Sequence, residues 1–201
     1  MIIDISRRER KKEALRLQIV QTAMALFRAK GFAQTRMEKI ADESDIAKAT
    51  LYKYFPVKEA IIAAYWKDKV QQKEGLLPSL FEKFPNTNQR LQAVFLSAVQ
   101  QFKQEPEFAR IQFSYQFLEI AKQPDNQTQR SGFESFLDAI LAHGQQEGDI
   151  RRDIASSMMA NQLLFLFTST CLLWFSNTQL FPIEERLQQV INLFIEGAKY
   201  E

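Results

Sequence analysis

The stretch "DIAKATLYKYFPVKEA", Asp45 to Ala60, concentrates the chemistry of this 201-residue chain. Lys48, Lys53 and Lys58 supply cations there, and Tyr52 and Tyr54 supply hydroxyls at the tips of apolar rings. Lysine ammonium groups meet phosphates, while threonine and tyrosine hydroxyls such as those of Thr50 and Tyr54 reach phosphates or base edges. The rest of the chain offers little for catalysis. Its single histidine, His143, has no cysteine, serine or carboxylate motif around it and reads as a surface residue. No glycine-rich phosphate loop occurs, and no His/Cys set has metal-ligand spacing. Asp149 and Asp153 flank Arg151 and Arg152, an arrangement of charges around a helix start. No enzyme activity, cofactor or metal is expected.

The elements that must position these residues are helices. Leu15, Ile19, Ala23 and Leu26 recur at spacings of three and four, which predicts a first helix over about Lys11 to Lys30, closed by Gly31. "TRME" has the capping-box form, so a short second helix is expected from Thr35 to Ser44. Asp45 stands where a turn is needed, "IAKATLYKYF" makes a third short helix, and Pro56 stops it. Ile40, Ile46 and Leu51 can meet beneath that turn, and Ala41 is small enough to let the two helices approach. Two short helices joined by a tight turn form a helix-turn-helix pattern, whose second helix presents its outer face to the major groove. A fourth helix runs from about Lys58 towards Gln72. Beyond Gly75 and Pro78, five more are expected at about 87–104, 107–122, 127–147, 154–176 and 183–199, separated by proline and glycine breaks.

Composition agrees with an all-α fold. Six glycines and six prolines are too few for the many tight turns of an all-β protein, and 46% hydrophobic residues suffice for a sizeable core. Residues 1–70 carry 15 Lys+Arg against 9 Asp+Glu, whereas residues 71–201 carry 11 against 15. A basic first third on a mildly acidic remainder points to one end meeting a polyanion. The run Arg7, Arg8, Arg10, Lys11 and Lys12 reads as a solvated tail, or as an arm in an adjacent minor groove. One cysteine, Cys171, excludes an internal disulfide and fits a reducing cytoplasm; its apolar surroundings make it a buried thiol. Residues 154 to 183 contain no charge, but scattered polar residues such as Asn161, Gln162 and Thr168 make a buried helix the better reading than a membrane span. No membrane partner is expected.

"TRMEKIADESDIAKATLYKYFPVKEAI", preceded by a helix ending in "ALFRAKGF", resembles the DNA-binding signature of the TetR family of transcriptional regulators over roughly residues 14–62. "GQQEGDIRRDI" is similar to a common junction before that family's last two helices. The resemblance implies roles for particular residues. Thr35 and Arg36 would sit near the DNA backbone. Lys48, Ala49 and Thr50 would open the recognition helix, with Tyr52, Lys53 and Tyr54 following as contacts. Lys58 would hold a phosphate, and Phe55 would pack the small domain. The sequence departs from the family at three positions. Asp45 replaces a turn glycine, Ala47 replaces a serine or threonine cap and leaves Asp45 as the candidate cap, and Val57 replaces a serine before Lys58.

The remainder is rich in phenylalanine: 14 of 17 lie beyond residue 80. Rings at helical spacing are core, and the resemblance implies that some line a cavity for an apolar or aromatic small molecule. Phe102, Phe113, Phe117, Phe136 and Phe165 are candidate linings, with Gln116, Asn161, Gln162 and Ser169 as candidate polar groups. The last two helices read as a dimer surface through Leu164, Phe167, Leu172, Phe175, Leu187, Val190, Ile191 and Phe194, because a helix apolar nearly all round needs cover on several sides. The expected architecture is a DNA-binding domain over 1–57 and an effector-binding and dimerisation domain over 58–201. The expected function is a cytoplasmic, homodimeric repressor that leaves a palindromic double-stranded operator when its effector binds. The alternative is an architectural or interaction protein using the same module without an effector.

Overall fold

The computed structural model describes residues 6–122 and 132–198. Among them are ten helices and no strand. The chain divides into two compact units between Trp66 and Lys67.

In the first unit, α1 spans Arg7–Lys30, α2 Met37–Glu43 and α3 Lys48–Tyr54, followed by the first half of α4, Lys58–Glu74. Ser6 and Glu9 form a reciprocal capping box at the start of α1. The basic run Arg7 to Lys12 is therefore helical rather than a tail. Ile19, Val20, Ala23, Met24 and Phe27 form the buried face of α1. Gly31 at φ +84° closes it, and the Phe32 ring folds back to 5.0 Å from that of Phe27.

The helix α2 begins two residues later than "TRME" predicts. The Thr35 hydroxyl donates backwards to the Gly31 carbonyl at 2.9 Å, so it does not cap, and Arg36 takes the N-cap position without a side-chain bond. The unit boundary also lies nine residues beyond the expected start of the second domain. The first half of α4 is fastened to α1: Arg28 donates to the Tyr65 hydroxyl at 2.9 Å, and Ile61, Ile62 and Trp66 are buried.

The second unit holds the rest of α4, then α5 (Leu77–Lys83), α6 (Thr87–Gln104), α7 (Pro106–Lys122), α8 (Phe133–Glu147), α9 (Ser156–Ser176) and α10 (Ile183–Ala198). No helix is expected from the sequence at α5, because Gly75 and Pro78 mark a break. Pro78 instead sits in the first turn of α5, where its missing N–H is no loss. The left-handed Gly132 precedes α8, which starts at Phe133; residues 127–131 of the expected helix lie outside the described residues.

The core lies where α8 packs on α9, and where α6 and α10 close over them. Phe167, Leu187 and Ile191, expected at a dimer surface, are inside this core at no more than 2% exposure. A helix apolar all round has its most central face taken by its own protomer first. Leu164, Leu172, Phe175 and Phe194 are partly buried against the same core. The other side of α9 presents Met158, Phe165 and Leu173, each about 60% exposed. By length and composition α9 passes as a membrane span, yet its Met159, Leu163, Phe167, Cys171 and Trp174 face is packed as a core helix. Burial pushes the Cys171 thiol well above its ordinary range, so it stays protonated.

Two polar arrangements fix the second unit. Asp149 accepts from the Thr87 backbone N–H at 2.7 Å and from its hydroxyl at 2.9 Å, capping α6 from 62 residues away. Its neighbour Arg151 pairs with Asp153 at 2.6 Å, and Arg152 donates to the carbonyls of Gln145 and Gln146 at the end of α8. Arg90, 1% exposed, donates to the Phe84 carbonyl at 2.9 Å and pairs with Glu147. His143 is not a plain surface residue. Its ring stacks on Phe81 at 3.9 Å, and its Nδ1 lies 3.1 Å from the Arg90 guanidinium. The Arg90 hydrogen bond holds the Glu147 carboxyl below its usual range, so this pair's contribution fades only as acid protonates Glu147.

Gly144 makes the junction possible. A Cβ there would stand 2.1 Å from Thr87 Oγ1 and 2.7 Å from Asp149 Oδ1. Thr87 is fully buried and has no room to yield. Gly144→Ala is expected to lose about 1–3 kcal/mol of stability by overpacking, read from the denaturant midpoint. A midpoint equal to that of the parent protein would show that the junction is loose.

Candidate nucleic-acid interface and aromatic core

The recognition element is built from the turn outward. Ile40, Ala41 and Leu51 are completely buried, and Ile46 is half-buried beside them. The turn reverses through Asp45 at φ +54°, the one non-glycine residue with positive φ among the described residues. Aspartate tolerates the left-handed region better than most residues, so the glycine-to-aspartate departure leaves the turn intact. Ile46 then donates to the Ala41 carbonyl at 3.1 Å, and Gln18 of α1 donates to the Ser44 carbonyl at 3.0 Å. Ala47 is the N-cap of α3 with no side-chain bond, so Asp45 does not cap it. Phe55, 5% exposed, ends the helix on its inner side.

With Leu51 and Phe55 holding the inner face, the outer face is free. Lys48, Ala49, Tyr52 and Lys53 are exposed, Thr50 and Tyr54 are half-buried, and Arg36 is exposed at the head of α2. Among the described residues Lys48 and Lys53 form no ion pair. These seven side chains make a surface of two free ammonium groups, a guanidinium, two phenols, a hydroxyl and a methyl.

Two expected contacts point elsewhere. Thr35 is 2% exposed and its hydroxyl is spent on Gly31, so its side chain is not on the contact surface. The Lys58 ammonium donates to the Phe32 carbonyl at 2.6 Å and lies 4.4 Å from the centre of the Phe32 ring. It is a staple between α4 and the exit of α1. Sequence alone could not separate this from a phosphate contact, because the partner is a backbone carbonyl 26 positions away.

In the second unit the rings gather. Phe167 lies 4.4 Å from Phe95, 5.4 Å from Phe133 and 6.4 Å from Phe113 by ring centres. Phe113 also contacts Phe102 at 5.3 Å and Phe175 at 5.7 Å. Of the candidate linings, Phe102, Phe113 and Phe136 are at this aromatic core, whereas Phe117 and Phe165 are more than half exposed. Asn161 and Gln162 are exposed on α9, and Asn161 donates to the Ser157 carbonyl. Ser169 donates to the Leu166 carbonyl within its own helix. None of these three amides and hydroxyls is among the rings of the core.

Gln116 is half-buried and accepts from Gln112 Nε2 at 3.3 Å. Gln112, not among the residues expected at the site, is only 6% exposed, and its Oε1 has no hydrogen-bond partner. Leaving such an acceptor unmet costs about 1–3 kcal/mol. The signal was available: Gln112 interrupts the apolar stripe Phe108, Ala109, Phe113 on α7. Among the described residues no group of three His, Cys, Asp or Glu side chains could hold a metal.

Residues 19–65 match the family described as bacterial regulatory proteins, tetR family. Over 185 residues the chain is 24% identical to the fatty acid metabolism regulator protein of Bacillus subtilis (strain 168), covering 90% of this chain and 94% of that one. Its fold resembles Thermus thermophilus FadR, a TetR-family transcriptional repressor, in complex with lauroyl-CoA. That likeness has a TM-score of 0.77 at 22% identity and covers 92% of this chain and 96% of that one. Bacillus subtilis FadR in complex with stearoyl-CoA is similar with a TM-score of 0.53 at 22% identity, covering 90% and 98%.

The geometry separates two lysines that look alike in sequence. Lys53→Ala should leave stability unchanged and lower the slope of log affinity against log salt by about 0.9, the effect of one phosphate contact. Lys58→Ala should instead destabilise the protein by about 1.5–3 kcal/mol, the worth of a hydrogen bond to a charged group. Salt titrations of duplex binding alongside chemical denaturation distinguish them, and a reversed pattern would contradict the assignment.

Proposed function

We propose that this chain, whose residues 19–65 match the tetR family of bacterial regulatory proteins, is a homodimeric, cytoplasmic repressor that leaves its operator on binding a long-chain acyl-CoA. The observation that carries the effector class is the extent of the likeness. It runs the length of the fatty acid metabolism regulator, well beyond the DNA-binding module. The aromatic core supports it, since rings on α6, α7, α8 and α9 form the kind of apolar interior that an acyl chain needs. This sharpens the expected apolar or aromatic effector to an apolar chain carried by a thioester.

In this reading Lys48, Lys53, Arg36, Tyr52 and Tyr54 hold the duplex, with phosphate contacts giving affinity and the α3 face giving sequence preference. The dimer brings two recognition helices to two half-sites of a palindrome. Met158, Phe165 and Leu173 of α9 supply its buried surface, together with Leu193 of α10, which is 71% exposed. Large exposed apolar residues gathered on one helix face call for such cover. An effector releases DNA only by binding the non-binding conformation more tightly. The continuous helix α4, which begins in the first unit and ends in the second, is the covalent path for that preference. The protein needs no catalytic group for this work.

The test is selection of bound duplexes from a random pool, followed by titration with lauroyl-CoA, stearoyl-CoA and coenzyme A alone. The expected result is a palindromic consensus whose binding falls at least about tenfold with either acyl-CoA, a shift of ~1.4 kcal/mol, and is unchanged by coenzyme A. A consensus that resists every acyl-CoA would overturn the effector, and no consensus at all would overturn the repressor.

A further inference from the structure

Gln112 sits on the inward stripe of α7 with Phe108, Ala109 and Phe113, where this helix packs against α6 and α9. It is the polar member of that buried set, and its Oε1 accepts nothing while its Nε2 is spent on Gln116. Gln116 follows one turn later and is half-buried, so the two amides form a short polar track from the interior of α7 outward. A buried, unmet carbonyl oxygen is a specific request: it wants a hydrogen-bond donor and rejects a carboxylate.

Building on the acyl-CoA reading above, we propose that Gln112 Oε1 accepts the N–H of the effector's cysteamine amide, the first donor beyond the thioester. In acyl–S–CH2–CH2–NH–CO– this N–H follows the apolar chain by a sulfur and two methylenes. An ionised fatty acid of the same chain length carries no donor and brings a charge instead. Gln112 is thus the residue that distinguishes the thioester conjugate from the free acid, and Gln116 holds its amide plane in place. The chain itself is recognised by the rings; the head is recognised by one amide.

The experiment uses the full chain with two ligands: lauroyl-CoA, and the same molecule with that single amide N–H replaced by oxygen. Calorimetric titration of the unaltered protein is expected to favour the amide by about tenfold or more, because the ester leaves Oε1 unmet. Gln112→Met should bind the two within about twofold of each other. Without ligand, its thermal midpoint should equal or exceed that of the parent, since an unsatisfied polar group has been removed. Equal binding of the two ligands by the unaltered protein would overturn the proposal while leaving the acyl-CoA reading intact. A preference that survives in Gln112→Met, or a lowered midpoint, would overturn it as well. If neither ligand binds, the acyl-CoA reading itself falls, and this proposal with it.

Discussion

A recognition helix of seven residues cannot sustain itself in water, and the first unit is organised around that constraint. Two turns of helix lie below the length at which nucleation is repaid. α3 therefore exists because Leu51 and Phe55 are buried and because its entry and exit are fixed by other elements. The Asp45 turn sets its direction, and Gln18 of α1 holds the carbonyl of Ser44 just before that turn. Lys58 holds the carbonyl of Phe32 at the other side of the motif. Structural duty is thereby assigned to residues off the outer face, and Lys48, Tyr52 and Lys53 are left without internal obligations. The same division explains why Lys53 and Lys58, five positions apart in sequence, serve different ends.

The second unit meets a different constraint, which is how to keep a large aromatic interior in one arrangement. Apolar contact alone specifies shape weakly, and helices joined by greasy faces can slide. Directional polar bonds remove that freedom. Asp149 locks the start of α6 to the end of α8, and Arg90 ties α6 to Glu147 and to the turn after α5. At the other end of α6, Lys103 pairs with Glu184 of α10, and beside it the rings of Phe102, Phe113 and Phe175 pack together.

Much of this was legible in the sequence. The helix-turn-helix followed from Ile40, Ile46 and Leu51, the Gly31 stop from its position after Lys30, and the left-handed Asp45 from its place in the turn. What escaped were contacts that depend on distant chain. Thr35 carries the sequence form of a capping box, but a carbonyl at Gly31 competes successfully for its hydroxyl. The Arg7–Lys12 run reads as a tail by charge, yet Ser6 and Glu9 cap it into helix. On α9, composition cannot say which face its own protomer takes, so Phe167 read as interface and lies in the core, while Phe165 read as pocket and lies outside. His143 is the same lesson for a single ring, because Phe81 and Arg90 are neighbours only in three dimensions.

The account joins two binding events on one chain, and thermodynamics requires that each weaken the other by the same factor. The direct test is to measure the affinity of the protein for stearoyl-CoA by calorimetry, first alone and then with the selected duplex present at saturation. The account predicts that bound DNA weakens acyl-CoA binding by the same factor by which acyl-CoA weakens DNA binding. Acyl-CoA affinity that is identical with and without saturating duplex would contradict it.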